Sequence, residues 1–170
     1  MVSVLEFALF LCFPAALALA AAMDLFTMTI PNRISLALIA GFAVAAPLSG
    51  LGPMAIAAHI GAGMLMFVVG FLMFTRGWLG GGDAKLMAAA SLWLGFDWLL
   101  PYILYVTVAG GLLATAMVMF RNVALPVFLT KENWAVRLHQ KKGGIPYGIA
   151  LAAAGLLVYP KTPWLTALAI

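Results

Sequence analysis

The chain has 170 residues, of which 66% are hydrophobic and 8% are charged, with a formal net charge of +4. A soluble domain carries roughly a quarter charged residues, so this composition excludes a surface solvated by water and makes the bilayer the solvent. The single cysteine, Cys12, excludes an internal disulfide and any zinc site built on paired Cys-x-x-Cys motifs; it reads as a small buried apolar residue.

The pattern of long apolar stretches rich in Ala, Leu and Gly, without strand alternation, predicts an all-α polytopic membrane protein, one domain over residues 1–170. Six hydrophobic segments follow in order: 2–23, 34–48, 54–74, 86–96, 98–120 and 145–159. The first has small residues near Ala18, Leu19 and Ala20, like a secretory signal. Its early charge, however, is Glu6 rather than a basic residue, so it reads as a retained span. Pro31 and Asn32 end the next loop and start the second helix, with asparagine available as a cap. A turn rich in Pro and Gly, residues 47–53, separates the second and third segments. His59, in the third, is expected to bond a neighbouring helix.

The fourth segment is too short to cross a hydrocarbon core roughly 30 Å thick, which leaves Asp83, at its start, close to the membrane boundary. After the fifth comes a basic interval, 121–144, containing Leu125, Val127, Phe128, Trp134, Val136 and Leu138. It reads either as a cytoplasmic interfacial segment meeting anionic lipid through Lys131, Arg137, Lys141 and Lys142, or as a solvated loop that sets orientation. With six crossings and the N-terminus outside, Arg33, Arg76, Lys85, Arg121 and the basic interval all fall on the cytoplasmic side, as the positive-inside rule requires. Only Lys161 is left outside. The basic residues thus read as topology signals, and no nucleic-acid partner is expected.

That topology sorts the five acidic residues. Glu6 and Asp97 lie outside; Asp24, Asp83 and Glu132 lie at the cytoplasmic face, and two of these abut helix ends. Asp24 follows the first span, and Asp83 opens the fourth helix after Gly80, Gly81 and Gly82, where it is placed to cap it. An ionisable group at the membrane is costly and is a functional candidate by default. Two adjacent carboxylates share a proton, so one can activate water while the other protonates the leaving group. Glycines before Asp83 allow an extended substrate backbone to approach. With His59 and His139 on opposite sides, no metal site is expected, and no cofactor is called for.

Three motifs carry a resemblance to a known family. Asp24 is separated from Ile30-Pro31-Asn32 by five intervening residues, Gly80-Gly81-Gly82-Asp83 is followed by Ala84-Lys85-Leu86, and Ile145-Pro146-Tyr147-Gly148 opens the last span. Together they resemble the prepilin peptidases, membrane aspartyl proteases of the Gly-x-Gly-Asp type. The resemblance implies that Asp24 and Asp83 are the catalytic pair. Gly80, Gly82, Lys85, Pro31, Asn32, Pro146, Tyr147 and Gly148 are expected to shape their site. Lys85 reads more simply as a headgroup contact, and Tyr147 as either a substrate contact or an interfacial anchor. The implied substrate is a pilin precursor that loses its basic leader at the cytoplasmic face of the inner membrane. Larger family members add two Cys-x-x-Cys motifs and N-methylation; this chain is similar instead to the minimal peptidases of Flp-type (tight adherence) pili. An archaeal-type preflagellin peptidase, a small proton-coupled transporter and a silent pilus-assembly partner are the alternatives. Oligomeric state is left open.

Overall fold

In a computed structural model the chain is described over residues 4–141 and 143–166, with side chains described from 11 to 164 apart from 142. The start of the first expected span, the side chain of Glu6, and Lys142 lie outside the described residues. Among the described residues seven helices follow in order: α1 Val4–Thr27, α2 Asn32–Leu48, α3 Pro53–Thr75, α4 Gly81–Asn122, α5 Asn133–His139, α6 Tyr147–Val158 and α7 Pro163–Thr166. Short 3-10 turns occupy Val127–Leu129 and Tyr159–Lys161, and there is no strand among the described residues.

The expected fourth and fifth spans form one element, α4, broken at Gly95 (φ 66°, ψ −177°). That backbone region is open essentially to glycine alone. Hydropathy places the separation at Asp97, and the break lies two residues earlier because only Gly95 can adopt it. Beside the break, the His59 imidazole takes up the space a side chain would need, and its Nδ1 bonds the Leu92 carbonyl at 2.8 Å. The expected interhelical bond of His59 is therefore present, and it lands where the helical ladder of α4 is interrupted. The first arm, before Gly95, spans only about 20 Å at roughly 1.5 Å per residue.

The helix α6 is the centre of the bundle. Gly148, Ala150, Leu151, Ala152, Ala154, Gly155 and Val158 are all buried on it, so it is covered on nearly every side, chiefly by α4 and α1. Small residues let backbones approach closely where no hydrophobic drive separates helix from lipid. At Gly155 the approach is so close that a Cβ would lie 2.5 Å from the Leu17 side chain. Phe13, Trp93, Tyr159 and Trp164 fill the end of the bundle away from Asp24, with Trp164 donating to the Trp93 carbonyl and Trp93 to that of Leu38.

The helix α3 packs on α4 through a narrow stripe, Ala62, Gly63, Met66 and Gly70, and exposes most of its other large apolar residues. The second arm of α4 likewise exposes Leu100, Leu104, Val108 and Leu112, the last to 68%. Apolar surface this continuous is stable in lipid and not in water. Among the described residues both α3 and α4 are long and apolar enough to cross a membrane; Leu11–Thr27 of α1, α2, and α6 with the turn after it (Tyr147–Lys161) are shorter apolar stretches. Cys12, expected to be buried, is partly so, beside Ala37 of α2.

Candidate active site

Asp24 and Asp83 come together at one end of the bundle. Asp24 sits one turn before the end of α1 and is 5% exposed; Asp83, 8% exposed, is the third residue of α4. Each lies at a helix N-terminus, where unpaired amides and the helix dipole favour a carboxylate. For Asp24 that helix is α6: the Gly148 amide donates to its Oδ2 at 2.7 Å. For Asp83 it is its own helix, with the Gly80 amide turned toward the carboxylate and that of Gly148 facing it as well. The two carboxylates act directly on each other, and the Asp83 Oδ1 is buried without a hydrogen-bond partner among the described residues.

Close backbone approach makes this possible. A Cβ on Gly148 would lie 2.8 Å from Asp24 Oδ2 and 2.6 Å from Ile30 Cδ1. One on Gly82 would lie 3.1 Å from Ile30 Cβ, and one on Gly80 2.8 Å from Asp83 Oδ2. Ile30 is thus a wedge between the start of α4, which carries Asp83, and the start of α6, whose amide holds Asp24. In the sequence Ile30 is marked only as the first residue of the Ile-Pro-Asn motif, and nothing there signals this packing role.

The remaining expected residues are placed unevenly. Asp83 does not cap α4: Gly80 occupies that position, because the helix begins at Gly81 and the carboxylate reaches back from its first turn. Asn32 does not cap α2 either. Pro31 takes the cap position, and the Asn32 Oδ1 accepts a bond from Lys85 Nζ at 2.9 Å. Lys85 is therefore tied to α2. Pro146 is buried and precedes the first residue of α6, Tyr147, whose ring lies against Gly110 of α4. An apolar cleft of about 860 Å³ runs between α2 and α3, floored by Ala88, Ala89 and Leu92, with Asn32 and Lys85 at one end. Neither aspartate lines it.

The basic interval is folded against the site. Ala135 and Leu138 of α5 are buried, Trp134 meets Phe26 edge-on, and Arg137 bonds the last carbonyl of α1. Val127 and Phe128 are exposed, to 82% and 74%. By sequence Arg121 is a topology charge and Arg137 either that or a contact to anionic lipid; their directed contacts have no signature in charge counting.

The family model of the type IV leader peptidase family matches residues 11–115, more than half of the chain, with both aspartates inside it. The chain belongs to the type IV leader peptidase family. Membership implies a protease, aspartic in type, acting on a protein substrate of the prepilin kind. Residues 146–148 lie beyond the matched region, so the Gly148 contact is read from the structure and not from the family match. No curated protein and no solved structure matches the chain.

Proposed function

We propose that this leader peptidase is a membrane aspartyl endopeptidase of the minimal kind that serves Flp-type pili. In this reading Asp24 and Asp83 remove the basic leader of a pilin precursor at the cytoplasmic face of the inner membrane. The observation that carries the proposal is the convergence of the two carboxylates on the Gly148 amide. One carboxylate takes a proton from water as its oxygen attacks the scissile carbonyl carbon. The other, protonated, hydrogen-bonds the carbonyl oxygen. The tetrahedral adduct then collapses, the C–N bond breaks, and a proton passes to the leaving nitrogen. A buried carboxylate oxygen without a partner is costly, so the Asp83 Oδ1 is suited to a bond supplied by the water or the substrate.

The orientation belongs to the same proposal: six crossings with the N-terminus outside put the site, Arg121 and α5 in the cytoplasm. Exposed Val127 and Phe128 then lie in the headgroup layer, with Lys131 beside them available to anionic lipid. Gly80, Gly82, Pro31 and Pro146 act by letting backbones approach and by fixing the segments that present the acids.

The test is leader removal from a pilin precursor in proteoliposomes. Wild type cleaves; Asp24→Asn and Asp83→Asn each lose about 10²-fold or more, as expected for loss of a general acid or base. Either variant cleaving at the wild-type rate rules the pair out. A proton flux that depends on Asp83 without any cleavage would instead favour a transporter.

A further inference from the structure

Two arginines outside the aspartate pair make contacts more specific than an orientation signal needs. Arg121, in the last turn of α4, donates from Nε to the Leu138 carbonyl at 2.8 Å and from Nη2 to that of Gly144 at 2.6 Å. Arg137, in α5, donates from Nη1 to the Thr27 carbonyl at 2.9 Å. Thr27 ends α1, three residues after Asp24; Gly144 lies four residues before Gly148. One guanidinium therefore grips the helix that bears Asp24, and the other grips the segment that delivers the amide bonded to it. The buried residues Ala135 and Leu138 of α5 join the two.

We propose that Arg121 and Arg137 are positioning residues: through α5 they set the placement of Asp24 against the Gly148 amide, and through it the geometry of the aspartate pair. The proposal rests on the reading of Asp24 and Asp83 as the catalytic pair. A positive charge suffices for orientation. Arg121 spans two carbonyls with the planar fork of its guanidinium, and Arg137 reaches the Thr27 carbonyl with one arm of its own; the ammonium of lysine, a single point on a shorter reach, reproduces neither geometry. Arg→Lys substitution thus separates the two roles while leaving the charge in place.

The experiment uses the full chain in proteoliposomes, as wild type, Arg121→Lys, Arg137→Lys and an Arg76→Lys control at the end of α3. Two readouts are taken: hydrogen exchange of the amides in 144–149 and 24–29, and kcat and KM for leader cleavage. Loss of a hydrogen bond from a charged donor should speed exchange about tenfold or more in Arg121→Lys over 144–149. Misplacement of catalytic groups by about an ångström lowers turnover by up to about 10²-fold. Accordingly kcat falls in both variants at unchanged KM, and Arg76→Lys matches wild type. Unchanged exchange in Arg121→Lys and Arg137→Lys overturns the brace, whatever the activity. Faster exchange with wild-type kcat overturns the positioning role. A wild-type chain that cleaves nothing instead defeats the peptidase reading, while exchange still decides the brace.

Discussion

The Gly148 amide bonds the Asp24 carboxylate at 2.7 Å across a separation of 124 residues. This contact joins the end of α1 to the start of α6, and the missing Cβ of Gly148 is what permits it. Gly148→Ala places a methyl 2.8 Å from Asp24 Oδ2 and 2.6 Å from Ile30 Cδ1. We expect leader cleavage to fall about 10²-fold or more as the carboxylate is displaced, with the chain still extracted from membranes at wild-type yield. A Gly148→Ala chain that cleaves normally would show that the contact is not needed.

Gly95→Ala should destabilise the fold strongly. The position combines a backbone region costing about 1–3 kcal/mol for other residues with a Cβ 2.9 Å from the His59 ring. Gly50→Ala, at φ 75° with nothing within 4 Å, supplies the strain without the clash and should cost less. Thermal unfolding in detergent, followed by tryptophan fluorescence, ranks the two.

His59→Phe retains a ring against Phe42 and Trp164 but loses the bond to the Leu92 carbonyl. The expected loss of stability is about 1 kcal/mol, toward the lower end of the cost of leaving an acceptor unpaired because this carbonyl is part-buried. His59→Gln, which still offers a donor, should recover part of it in the same melting assay.

Met28, between α1 and the segment leading to Pro31, has φ 57°. A left-handed residue that is not glycine is uncommon and is worst for β-branched side chains. Met28→Val should therefore lower the melting temperature, whereas Met28→Asn should be near neutral. Its position four residues after Asp24 also predicts that the Val variant loses cleavage in parallel with stability.

Much of the site was legible in the sequence because its chemistry is carried by rare residues. In a chain with five carboxylates, Asp24 and Asp83 stand out, and the structure brings both to one end beside Gly80, Gly82 and Gly148. What escaped notice was directional. Charge counting assigns Arg121 and Arg137 to a side of the membrane without saying which carbonyl each guanidinium meets. Hydropathy located the interruption in α4 only to within two residues, because it records composition and the break is a matter of φ and ψ at Gly95. The expected capping roles of Asp83 and Asn32 failed for a shared reason. Residue type marks a helix start, but glycine and proline took the cap positions and left both side chains to reach elsewhere.

The placement of Gly148 on α6 has a consequence in time. Synthesis runs from the N-terminus, so both aspartates enter the membrane well before the amide that holds Asp24 has been made. A nascent chain halted before α6 carries the two acids but lacks the central helix against which α1 and α4 pack. On the catalytic reading proposed above, proteolytic competence arrives late and all at once, when α6 docks, and a half-made peptidase cannot cut its neighbours in the bilayer.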